Sequence, residues 1–174
     1  TATDPQGATV TQTFVWTVTN PIPVAQDDNF TVNENGTISG NVFANNGNGV
    51  DNDPDGDSFS VTAVAGGAGN VGNATAGSNG GLFTIDSNGT LAFDPNGQFD
   101  YLALGESATT TTTYTITDAD GATSTATVSV LVSGANDTPV TVGVIANQSG
   151  NDSTSVNLDV SSFFADPDTS DTLA

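Results

Sequence analysis

The chain has 174 residues and a formal net charge of −20, built from 20 Asp plus Glu with no Lys, Arg or His. With no Cys or Met either, it lacks the groups for Ser/His/Asp or Cys/His nucleophiles, Schiff bases, phosphate clamps and zinc, copper or haem ligation. Nucleic acid and anionic membranes would repel it, and its carboxylates, hydroxyls, amides and carbonyls are hard-oxygen ligands suited to Ca²⁺.

In chain order, Phe14, Trp16 and Val18 alternate as a strand, and Asn20-Pro21-Ile22-Pro23 reads as a linker. Period-two alternation then recurs between Gly, Asn and Asp. Phe30 and Val32, after Val24, predict strand A. Ile38 and Val42 predict B, Phe59, Val61 and Ala63 C, and Phe83 and Ile85 D. Leu91 and Phe93 predict E, Tyr114 and Ile116 F, and Val128, Val130 and Val132 G. Asp86-Ser87-Asn88-Gly89 is a D–E turn, since Asn-Gly tolerates positive φ, and Asp118-Ala119-Asp120-Gly121 is the F–G turn. Residues 66–81, nearly all Gly, Ala, Asn and Ser, read as a mobile C–D loop. The Thr109–Thr113 run reads as the start of a strand with solvated hydroxyls; a regular Thr array for ice or glycan binding is the sharper alternative. Tyr101 and Tyr114 are expected in the core or at a corner, Trp16 in the core of a preceding unit, and Asp86 and Asp94 in turns. After a second linker, Gly134-Ala135-Asn136-Asp137-Thr138-Pro139, strands A and B recur in Val142 and Val144, then Val156, Leu158 and Val160. No helix is predicted. Seven short strands in roughly 115 residues is the number of an all-β, immunoglobulin-like or cadherin-like sandwich.

The chain also repeats itself. Residues 1–20 align without gaps with 115–134, pairing Thr1 with Thr115, Asp4 with Asp118, Gly7 with Gly121 and Thr13 with Thr127. Asp53-Pro54-Asp55 is echoed by Asp166-Pro167-Asp168. Offsets of 114 and 113 indicate a tandem unit of that size, a whole domain rather than a solenoid repeat. We therefore expect residues 1–20 to be the C-terminal F–G hairpin of one domain, 21–137 a complete domain, and 138–174 the A–B strands of a third. From the absence of Met we expect the start to lie inside a longer protein and, since residues at the start carry no basic-then-apolar pattern, any export signal to lie outside this chain. Adjacent tandem domains are the expected partners. A bolder expectation is homophilic or head-to-tail self-association, the N-terminal hairpin of one molecule completing the C-terminal strands of another.

Antiparallel order sends the start of strand A and the B–C and F–G turns to one pole. Asp27, Asp28, Asp51, Asp53, Asp55, Asp57, Asp118 and Asp120 are expected to converge there. The other pole would gather Glu34, Asp100, Glu106, Asn136 and Asp137, joined by Asp166, Asp168 and Asp171 of the following segment. Two carboxylates about 5 Å apart repel by roughly 3 kcal/mol at an effective dielectric near 20. No cation in the chain offsets this, so the groups spread into water or bind a divalent ion. Alternating Asp residues with Gly56 for a sharp turn aim several oxygens at one point, as Ca²⁺ requires; the same residues are also ordinary turn formers.

The stretch FDYLALGESATTTTTYTITDADGATSTATVSVLVSGANDTP closely resembles the C-terminal half of bacterial VCBS-type, cadherin-like repeats. VAQDDNFTVNENGTISGNVFANN, followed by DNDPDGDSFSVTAV, resembles their N-terminal half, so the likeness covers about residues 23–139. The flanks, DPQGATVTQTFVWTV and IANQSGNDSTSVNLDVSSFFADPDTSDTL, resemble dystroglycan-type cadherin-like repeats. The resemblance implies a Greek-key β-sandwich in large secreted or surface adhesins of the RTX type, exported by type I secretion, with Ca²⁺ stiffening the joints between domains. It also implies roles. Asp53, Asp55 and Asp57 match the Asp-x-Asp ligands, Asp118 the F–G ligand, Glu34 the A–B glutamate, and Asn136-Asp137 the Asn-Asp of the linker. Thr169 departs from the usual Gly after Asp168, Gln6 stands opposite Asp120, and the E–F loop with Asp100 and Glu106 lacks the cadherin Asp-Arg-Glu run.

These readings predict a calcium-stabilised structural extender of a large bacterial cell-surface or extracellular adhesin or filament. It would form a rigid rod in adhesion and biofilm, without catalysis, nucleic-acid partner or direct membrane insertion. The alternatives are a glycan-, ice- or protein-binding module, which the 7% aromatic content disfavours, and an accessory repeat of an extracellular hydrolase, with paired carboxylates as acid and base.

Overall fold

The computed structural model describes residues 1–153 and 155–173. In chain order the strands are β1 (Ala2–Thr3), β2 (Thr9–Val10), β3 (Asp28–Asn33), β4 (Ile38–Asn41), β5 (Phe59–Val64), β6 (Thr75–Ala76), β7 (Leu82–Ile85), β8 (Thr90–Asp94), β9 (Ser107–Asp118), β10 (Thr123–Ser133), β11 (Val140–Thr141) and β12 (Phe164–Ala165). Among the described residues, the only helical turns are two three-residue 3₁₀ segments.

The centre is a β-sandwich. One sheet has the order β3-β10-β9-β5 and the other β4-β8-β7-β6. These correspond to predicted strands A-G-F-C and B-E-D, with β6 as an unpredicted edge. Strand β3 lies parallel to β10, whereas the other pairings within the two sheets are antiparallel. The chain therefore crosses from one sheet to the other between β3 and β4. Alternation decides which faces meet. Val128, Val130 and Val132 of β10 and Tyr114 and Ile116 of β9 are buried, while Ser129, Leu131 and Thr115 between them face outward. From the other sheet, Phe83, Ile85, Leu91 and Phe93 close the core, with the Phe83 and Phe93 rings 4.6 Å apart. Each such side chain contributes about 1.5–3 kcal/mol by leaving water.

Two expectations need correction. Residues 66–81 are not a free loop: Gly72 N–H donates to Ile85 O at 2.8 Å, Ser78 N–H to Thr111 O at 2.9 Å, and Asn79 Nδ2 to Thr109 O at 2.6 Å. Small residues there let the backbone lie against both sheets. The Thr109–Thr113 hydroxyls are not all solvated. Thr110 and Thr112 are buried, and Thr110 Oγ1 donates to Gly80 O at 2.8 Å. Thr112 Oγ1 has no partner among the described residues. Thr112→Val, which removes an unsatisfied hydroxyl at constant shape, is expected to raise stability by about 1 kcal/mol in denaturant melts. Tyr101, unlike buried Tyr114, is 41% exposed and stacks on Phe99.

The flanks depart further from the strand pattern. Phe14, Trp16 and Val18 form no strand, and Trp16 is 79% exposed rather than in a core. Val144, Val156 and Leu158 are likewise outside strands and exposed. Alternation licenses a strand only where a neighbour supplies its hydrogen bonds, and no described strand pairs with these segments. The pairing that does form is β11 with β12.

The sequence repeat is also a structural one. In β1–β2, Thr3 faces Thr9, as Thr117 faces Thr123 in β9–β10. Asp4 Oδ1 accepts the Gln6 and Ala8 N–H groups at 3.0 and 2.8 Å; Asp118 Oδ1 accepts those of Asp120 and Ala122 at 3.0 and 2.8 Å. Thr1 and Thr11 hydroxyls meet at 3.0 Å, and Thr115 and Thr125 at 2.9 Å. The Asp-Pro-Asp echo matches too: Asp55 N–H donates to Asp53 Oδ1 and Asp168 N–H to Asp166 Oδ1, both at 3.1 Å.

Candidate functional site

The predicted carboxylate pole at the F–G turn divides in two. Strand β3 begins with Asp28 opposite Val128, five residues along β10 from Thr123, where the turn ends. At about 3.3 Å per residue this is roughly 17 Å. Val24 bridges Asn52, and Ala25 N–H donates to Ser124 Oγ at 3.1 Å, so residues 20–25 occupy the pole instead. Asp27, Asp28 and Asp51 thus leave the expected convergence. Exposed Asp27 accepts Thr127 N–H at 2.7 Å, and Asp28 and Asp51 are buried around Tyr114.

Asp53, Asp55, Asp57, Asp118 and Asp120 stay near the turn. Asp118 is already satisfied: Oδ1 takes two backbone N–H groups and Oδ2 accepts Asn20 Nδ2 at 2.9 Å. That amide is the first cause holding the Asp118 carboxyl below its ordinary value. The Asp55 carboxyl is raised, first by its contact with that of Asp53. Asp53 Oδ2 is buried without a partner among the described residues, and Asp120 is exposed. Nothing in the sequence signalled Asn20, whose partner lies 98 positions away.

At the opposite end, the C-terminal segment returns to the sandwich. Glu34 follows β3 and is buried; its Oε1 accepts Ala135 N–H at 2.7 Å, while Oε2 is buried without a partner among the described residues. Asp168 is 1% exposed; its Oδ2 accepts Asp137 N–H at 2.9 Å, and Oδ1 likewise has no partner among the described residues. Thr169 closes the contact from the other side, its N–H and Oγ1 each donating to Tyr101 O at 3.2 Å. Burial raises the Glu34 carboxyl, and the charges of Asp137, Asp100 and Asp168 add to the rise. Burial also raises Asp137, with Asp168, Asp100 and Asp166 adding to it. Five carboxylates from four stretches of the chain therefore feel one another here. Asn136 is turned onto Asp137 O, and Glu106 Oε2 accepts Ala103 N–H, so neither aims at the junction. Tyr101 was expected only as a core or corner residue; its contribution is a backbone carbonyl, which side-chain identity cannot signal.

Among the described residues, no three carboxylates lie close enough to form a ready-made metal group. Mutual repulsion explains the spacing, since no Lys or Arg exists to draw them together. The donor types fit a hard cation: two buried oxygens with no partner among the described residues, and three further carboxylates.

A family model of the bacterial cadherin-like domain matches residues 20–134. The chain belongs to that family. A solved structure of a nucleoside hydrolase-related hypothetical protein from Saccharophagus degradans, associated with carbohydrate metabolism, is similar at 17% identity and a TM-score of 0.36. The likeness covers 66% of this chain and 26% of that one, so the chain spans about a quarter of that protein's length. No curated protein matches. In this bacterial cadherin-like domain, the matched span takes in Glu34 and Asp100 but stops before Asp137, Asp166 and Asp168. Among the described residues, no helix is long and apolar enough to cross a membrane.

Proposed function

We propose that the chain is a structural extender segment of an extracellular bacterial adhesin or filament, non-catalytic, in which Ca²⁺ at the C-terminal junction stiffens the joint. Membership of the bacterial cadherin-like family, whose domains are typically extracellular, supports an adhesin-type repeat. The carrying observation is a pair of buried oxygens with no partner among the described residues, Glu34 Oε2 and Asp168 Oδ1, on opposite sides of one junction. Glu34 and Asp100 from the sandwich, Asp137 from the linker and Asp166 and Asp168 from the following segment would hold the ion. Their carboxylates are far cheaper to bring together around a divalent charge than without one. The hairpin echo and the Asp-Pro-Asp echo support neighbouring domains as the partners, with 21–137 as the complete unit. Ligation from both sides of the linker removes hinge freedom, and a series of such joints makes a rod.

The test is small-angle scattering with calcium and after chelation. Calcium is expected to lengthen the particle and narrow its distribution of shapes, reversibly. An unchanged profile refutes stiffening.

A further inference from the structure

The interior holds an acidic group that the junction does not use. Asp28, at the start of β3, is 1% exposed; Asp51, in the B–C loop, and Tyr114, on β9, are buried beside it. The Tyr114 hydroxyl lies 2.8 Å from Asp51 Oδ2, 3.0 Å from Gln26 O and 3.3 Å from Val42 O. The Asp28 carboxyl lies beside that hydroxyl but makes no hydrogen bond with it. One O–H proton thus stands among three acceptors, with the Asp28 carboxyl beside them. The other donors are spent: Gln26 N–H goes to Asp51 Oδ1 at 2.8 Å, and Asn46 Nδ2 to Asp28 Oδ1 at 2.8 Å. Asp28 Oδ2 has no donor among the described residues.

A buried carboxylate oxygen beside a second carboxylate is costly unless something neutralises it. The chain has no Lys, Arg or His, so the nearest remedy is a proton. We propose that Asp28 is protonated in the folded domain through the mildly acidic range and donates to Tyr114, whose O–H in turn donates to Asp51, forming a relay that latches strand β3 and the B–C loop onto β9. A single added proton turns the Tyr114 oxygen into an acceptor and gives Asp28 Oδ2 a partner. Ionisation of Asp28 breaks the relay and leaves two negative charges inside the sandwich. The ionisable groups facing Asp28 are Asp51 from the B–C loop, Tyr114 from β9 and Asp27 from its own segment, none of them cationic. Burial pushes Asp28 up from 3.8 to about 6, with Asp51 and Asp27 adding to the rise and Asn46 and Tyr114 opposing it.

A carboxyl raised in the folded state stabilises below its unfolded value and loses that stabilisation as pH climbs through the folded value. The window is therefore pH 4 to about 6. Carboxyl ¹³C NMR titration in chelator should give Asp28 a midpoint near 6; a midpoint near 4 overturns the proposal. Denaturant melts in chelator at pH 4 and pH 8 should show the wild-type folding constant falling with pH by on the order of 50-fold more than that of Asp28→Asn. The amide introduced by Asp28→Asn mimics the protonated acid, so this variant should be the more stable protein at pH 8. Equal pH slopes in the two proteins also overturn it. Should the variant fail to fold, the wild-type NMR titration decides alone.

Discussion

Saturating calcium is expected to raise the melting temperature of the wild-type domain by roughly 10 °C, and Asp168→Asn to remove most of that rise. Ligand at about 100 times its Kd stabilises the folded state by about 2.7 kcal/mol, and for a domain of this size each kcal/mol is worth a few degrees. Asp168 supplies one of the junction's two buried, unsatisfied oxygens, Oδ1, and the largest of the charges acting on Asp137. Its Oδ2 bond to Asp137 N–H can survive as an amide carbonyl. In chelator the variant should consequently be no less stable than wild type, because one repelling charge is gone. Calorimetric melts in both conditions separate a ligand from a merely structural residue. Equal calcium shifts in the two proteins would exclude Asp168 from the site.

Gly134→Ala is expected to cost about 3 kcal/mol, with or without calcium. Gly134 is buried where β10 ends, and its N–H donates to Glu106 O at 2.9 Å. A methyl group there would collide with the carbonyl oxygens of Leu102 and Ala103. Both are backbone atoms, so no rotamer change relieves the overlap, and strand or loop must move. The next residue, Ala135, holds Glu34 through its N–H, so the displacement also reaches the junction. Gly69→Ala is the control: no atom stands within 4 Å of the added carbon, and the change should stay within about 0.5 kcal/mol. Similar denaturant midpoints for the two variants would refute the steric argument.

Much of the sandwich was legible because Val, Ile and Phe alternate with Thr and Ser, so that one face of each strand had to be buried. The Thr109–Thr113 run escaped this reading. Thr is both β-branched and polar, and its pattern cannot tell a buried hydroxyl such as Thr110 from an exposed one. The flanking strands were over-read for a related reason: Phe14, Trp16 and Val18 alternate correctly, but alternation names a face and supplies no neighbour.

The candidate site divides along the same line. Composition alone determined that the chain could hold a hard cation and little else, since twenty carboxylates stand against no Lys, Arg or His. The 114-residue echo determined that one hairpin geometry occurs twice, because the same Asp accepting the same two N–H groups builds the same turn. Only the tertiary structure decided which carboxylates share a place. The parallel register of β3 on β10 took Asp28 from the pole into the core, and the return of the C-terminal segment brought Asp168 to Asp137 and Thr169 to Tyr101. Those are choices of register and long-range docking. Their energy lies in contacts between residues dozens of positions apart, for which local sequence carries no signal.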